Sequence, residues 1–123
     1  MAFYRGPTCR HTINSEFDID SIKTLPKVEV MSAYYDADPA LIQAAVDAGV
    51  KGIVVSGCTS AGIPFRSQVP LLESLADKGL PIVLTARGGM NARIGARPND
   101  NFIGGDTLVA YKARLLLQLA LDL

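Results

Sequence analysis

Three short segments of the chain hold residues that can do chemistry. The first, Ser56-Gly57-Cys58-Thr59-Ser60-Ala61-Gly62, sets small residues and hydroxyls on a turn. Such a turn can aim backbone N–H groups at an anion, or offer hydroxyls to a small polar ligand. The same composition also suits a tight strand exit in which Gly and Ser serve geometry alone. It is not a P-loop, because the Gly-Lys-Ser/Thr ending is absent. In the second segment, Tyr34-Tyr35-Asp36-Ala37-Asp38, the two carboxylates look like an acid pair. Asp38 precedes Pro39, however, and reads better as a helix cap, which leaves Asp36 as a turn residue. In the third, Thr85-Ala86-Arg87-Gly88-Gly89, Arg87 can grip a carboxylate or phosphate in a bidentate pair. An arginine so placed more often ties two loops together.

Nucleophile chemistry has little support. A catalytic Cys58 needs a base, and His11, in an irregular stretch beside Arg10, is the only histidine. One histidine and two distant cysteines, Cys9 and Cys58, cannot assemble a zinc site, and two cysteines do not make a disulfide framework. Free thiols, no metal and no cofactor are expected. No Ser-His-Asp set or supported pair of carboxylates is present.

The elements that must position these segments follow from periodicity. Residues 1–27 are polar and irregular, with Gly6-Pro7, Asn14-Ser15 and Leu25-Pro26 as turn signals, and read as an arm or connection. Val28 to Tyr34 is strand-like; Asp38-Pro39 opens a helix with Leu41, Ile42, Ala45 and Val46 on one face, and Gly49 closes it. Gly52 to Ser56 is a continuously apolar strand of the kind covered on both faces. Ser67 to Lys78 forms a second helix with Pro70 in its first turn, and Pro81 to Thr85 a third strand. A Gly/Asn/Arg-rich loop from Arg87 to Gly105, broken by a short strand at Phe102-Ile103, leads to a helix over Asp106–Leu123. This order predicts an α/β, flavodoxin-like three-layer domain over 28–123, with a parallel sheet of three to four strands and helices on both faces. Ligands of such sheets gather beyond the carboxyl ends of the strands, where the strand order reverses, and all three chemical segments fall at that end.

Composition limits the partners. The 123 residues carry 12 Lys+Arg against 12 Asp+Glu, so nucleic acid and acidic membranes, which need clustered positive charge, are not expected. The chain is 49% hydrophobic and only 20% charged, against about 25% in soluble domains, so part of its apolar surface needs a partner. The last helix concentrates this surplus. Arg114, Gln118 and Asp122 form a polar stripe, and leucines fill most of the remaining circumference, so the helix must meet either the arm or a second subunit as well as the sheet. No apolar run reaches the roughly 18 residues of a membrane span, and Met1 to Pro7 lacks the core of a signal peptide. A cytoplasmic location is expected. Export stays open, since Met1 need not be the natural start.

Taken in order, Arg10-His11-Thr12, Phe17-Asp18-Ile19, Leu25-Pro26-Lys27-Val28, the Ala48 to Val54 junction and Lys112 to Leu121 closely resemble the C-terminal domain of the L-asparaginase/glutaminase family. Singly these are scaffold motifs; their collinearity along nearly the whole chain makes the resemblance specific. It implies a two-domain amidohydrolase whose nucleophilic threonine, second threonine, aspartate and lysine come from an N-terminal domain. That domain's Thr-Gly-Gly-Thr-Ile and Asp-Gly-Thr-Asp motifs are not in this sequence. The resemblance further implies packing against a neighbouring subunit and a contribution to the rim of its site. Many members carry Gly-x-Gly-Asn-Gly where this chain reads Gly57-Cys58-Thr59-Ser60-Ala61, which places Ser60 where the asparagine would stand. An acidic rim residue of some members has no match between Gly95 and Asn101, where Arg97 and Pro98 sit. Thr59 and Ser60 are thus the candidate rim residues, and no catalytic residue is assigned to this chain.

The resemblance implies hydrolysis of asparagine, or glutamine, by a whole protein containing this domain as a homo-oligomer, with the isolated chain inactive. Two rivals are a flavodoxin-like binding or assembly module that dimerises through its last helix, and the asparaginase-like subunit of a transfer-RNA amidotransferase.

Overall fold

The computed structural model describes residues 10, 12–59, 61–88 and 101–123. Cys9, His11, Ser60, Arg97 and Pro98 therefore lie outside the described residues, as does most of the loop after the third strand. Four parallel strands form one sheet in the order β1 (Val28–Ser32), β2 (Gly52–Gly57), β3 (Ile82–Ala86), β4 (Ile103–Gly104). The helices are α1 (Ala40–Asp47), α2 (Val69–Asp77) and α3 (Ala110–Asp122).

Successive crossovers in one direction place α1 and α2 on the same face of the sheet. There Ile42, Leu72 and Leu75 pack on Ile53, Val55, Ile82, Leu84 and Phe102. The alternate side chains Val28, Val54 and Val83 point to the other face and meet Ala110, Ala113 and Leu117 of α3. This is the expected three-layer arrangement. The described strands run in sequence order, so the reversal expected to mark a ligand crevice is not among them.

Local chemistry sets the helix ends. Asp38 Oδ1 accepts from the Ala40 N–H at 2.8 Å, so it caps α1 as expected, with Pro39 (φ −63°) in the first turn. Gly49, at φ +81°, ends α1: its N–H reaches Val46 O, and that of Val50 reaches Ala45 O. Leu41, read as core-facing, is exposed; the face that packs is Ile42, Ala45 and Val46. α3 begins at Ala110 rather than Asp106, because Asp106 adopts φ +50° and Val109 is extended.

Two members of the polar stripe of α3 turn toward β1, while Asp122 is exposed. Gln118 is 5% exposed and donates from Nε2 to Pro26 O at 2.8 Å, and Arg114 Nε donates to Val28 O at 2.8 Å. The arm, with short 3-10 turns at Thr12–Asn14 and Ile19–Ser21, also reaches this helix. Its residues Phe17 and Ile22 line a small cavity of about 40 Å³ with Leu119 and Leu123. Among the described residues, the arm meets α3 at that end. Leu115 (52% exposed), Leu116 (44%) and Leu123 (76%) remain open to solvent.

Candidate functional site at the carboxyl edge of the sheet

The loop after β2 closes on itself. Gly57 is buried, and a methyl added to it would lie 2.2 Å from the carbonyl carbon of Gly62, so only glycine allows the two backbones to touch. The Cys58 N–H donates to Ile63 O at 3.1 Å, and the Gly62 N–H to Thr59 O at 3.0 Å. The Ala61 N–H donates to Thr59 Oγ1 at 3.2 Å. Three N–H groups that could have cradled an anion are thus spent inside the turn. The anion-cradle reading has no support from them, and the glycines serve geometry. Thr59 is left exposed at the lip, its hydroxyl accepting internally and still able to donate. Cys58 is exposed beside it with a free thiol.

The neighbouring loops are tied to one another. Arg87 Nη2 donates to Ala33 O, the carbonyl just after β1, so it holds two loops together as its position suggested. Ser67 Oγ donates to Ala37 O at 2.7 Å. Gln68, 3% exposed, accepts from the Phe65 N–H at 3.2 Å and donates to Ser32 O at 3.1 Å. This buried glutamine joins the end of β1 to the loop after β2. Its only signal in the sequence is a polar residue just before the apolar face of α2. Tyr35 and Phe65 pair with ring centroids 5.5 Å apart, and the Arg66 guanidinium lies 5.9 Å from the Phe65 ring. Asp36, in the turn between, adopts φ +57°, a turn conformation rather than an acid poised against Asp38.

Thr85 is fully buried and donates from Oγ1 to Val55 O at 2.8 Å, which removes it as a nucleophile. Among the described residues no group of His, Cys, Asp and Glu could hold a metal ion, and no helix is long and apolar enough to cross a membrane. Two grooves among the described residues lie away from Thr59. One of about 830 Å³ runs along the amino ends of the strands, past Lys27, Lys51 and Lys78, and one of about 480 Å³ lies between β4 and α3.

The carboxyl edge therefore presents a hydroxyl, a thiol and an aromatic pair. Fold and edge define an α/β domain of four parallel strands covered by helices on both faces. The family model for the glutaminase/asparaginase C-terminal domain matches residues 27–123, and the chain belongs to this family. It is 35% identical to a glutaminase-asparaginase of Pseudomonas fluorescens biotype A, over 97% of this chain and 34% of that protein. It is 33% identical to L-asparaginase 2 of Escherichia coli K12, over 97% of this chain and 35% of that protein. The crystal structure of a probable cytoplasmic L-asparaginase from Campylobacter jejuni superposes with a TM-score of 0.84 at 34% identity, covering 98% of this chain and 39% of that one. The chain thus spans about a third of the length of the curated relatives it matches.

Proposed function

We propose that this domain works as the C-terminal part of an amidohydrolase that converts asparagine, or glutamine, to the acid and ammonia. The observation that supports this best is the match from residue 27 to 123 with proteins named for that reaction, including one solved structure of the same fold. Water replaces the side-chain nitrogen through an acyl-enzyme formed on a threonine outside this chain. On this reading residues 28–123 are the domain, and 1–27 are the connection to the part that carries the nucleophile. Thr59 and Ser60 stand at the rim, where a hydroxyl hydrogen-bonds the amino-acid ligand directly or through water. The exposed leucines of α3 meet a second subunit of a homo-oligomer. Relatives include one named periplasmic and one named cytoplasmic; the exposed thiol of Cys58 suits the reducing cytoplasm.

The test is ammonia release from asparagine and from glutamine by the full-length protein that contains this domain. Ser60→Ala should lower kcat/KM by the 0.5–1.5 kcal/mol of one neutral hydrogen bond, roughly two- to tenfold, and Ser60→Asn should raise it. Unchanged constants in both would reduce the loop to a turn. A full-length protein with no amidase activity, or one that passes ammonia on to transfer RNA, would overturn the reaction itself.

A further inference from the structure

The polar stripe of α3 is spaced to match a strand edge. β1 is the outer strand of the sheet, and Lys27 O accepts from the Lys51 N–H at 2.7 Å on the β2 side. Carbonyls alternate along an extended strand, so those of Pro26 and Val28 point outward, to the unpaired edge. Both are met by α3, with Arg114 on Val28 and Gln118 on Pro26. Four residues of helix rise about 6 Å, and two residues of strand about 6.6 Å. The stripe and the edge are therefore in register, running antiparallel. One turn further on, Asp122 lines a groove that Thr24 also lines. That member of the stripe is an acceptor and cannot donate to a carbonyl. Donors thus end at Pro26, where the chain leaves strand geometry for the arm.

We infer that Arg114 and Gln118 are positioning residues, which fix the direction in which residues 12–26 leave this domain by capping the outer edge of β1. The core packing of α3 belongs to Ala110, Ala113 and Leu117, so these two long polar side chains have a separate job. Loss of one donor frees the segment before β1 and leaves the sheet and α2 as they are. Where the segment continues into a catalytic domain, which rests on the function proposed above, the same two bonds set the angle between the halves of the enzyme.

The test on the 123-residue chain is the rate of tryptic cleavage after Lys23 and Lys27, with cleavage after Lys51 as the internal control. Gln118→Met, similar in length and without a donor, and Arg114→Met should each speed cleavage at Lys23 and Lys27 roughly two- to tenfold, the equivalent of one hydrogen bond. Cleavage at Lys51 should not change, and Arg114→Lys, which can still donate, should restore protection. Unchanged cleavage, or an equal increase at all three sites in both Met variants, would overturn the proposal. In the full-length enzyme Gln118→Met should lower kcat several-fold at constant KM, and unaltered constants would overturn the positioning role. If the unsubstituted full-length protein hydrolyses neither amide, the reaction fails and the cleavage result still decides the role of the pair.

Discussion

Gly57 and Gly62 touch backbone to backbone across the loop after β2, and this contact shapes the lip on which Thr59 stands. The space a side chain would need at Gly57 is filled by main-chain atoms, which cannot rotate away. Gly57→Ala should therefore destabilise the chain by at least about 2 kcal/mol, near the upper range of overpacking costs. Gly49 has open space around it but sits at φ +81°, so Gly49→Ala should cost only about 1 kcal/mol, from backbone strain. Urea titration of both variants checks the order; a Gly57→Ala as mild as Gly49→Ala would mean that the loop opens freely.

Thr85→Val should lower stability by about 1–2 kcal/mol, because it removes the buried O–H bond to Val55 while keeping the shape of the side chain. In the full-length enzyme the same change should leave kcat/KM intact. A large loss of rate at unchanged stability would place Thr85 in the chemistry.

The purified chain alone should release no ammonia from asparagine or glutamine. Its buried Thr85 is committed to a carbonyl, and the Thr59 hydroxyl accepts from a backbone amide. Turnover that disappears on Thr59→Ala would refute this.

Self-association is expected through α3, where Leu115 and Leu116 are exposed on the helix and Leu123 just past its end. Sedimentation should show dimers or larger species at high concentration, and Leu116→Glu should yield a monomer that keeps its helical signal. A compact monomer at every concentration would leave the leucines without a partner of this kind.

Much of the scaffold was legible because local rules suffice for it. Continuous apolar runs made β2 and β3 recognisable as fully covered strands, Asp38-Pro39 and Gly49 bracketed α1, and the order of elements required a parallel sheet with helices on both faces. Ordered motifs from Arg10 to Leu121 were enough for the family. What stayed hidden depends on which surface a side chain meets, and periodicity carries no such information. Arg114 and Gln118 look like a solvated stripe until β1 lies beside them with outward carbonyls; burial then follows from hydrogen bonds between residues 86 and 92 positions apart. Gln68 joins Ser32 across 36 positions, and Arg87 reaches Ala33 across 54. The small residues from Gly57 to Gly62 were compatible with a cradle or a turn. Only the tertiary path, by bringing Ile63 O to the Cys58 N–H and Gly62 against Gly57, committed their N–H groups to the turn and left the Thr59 hydroxyl at the edge.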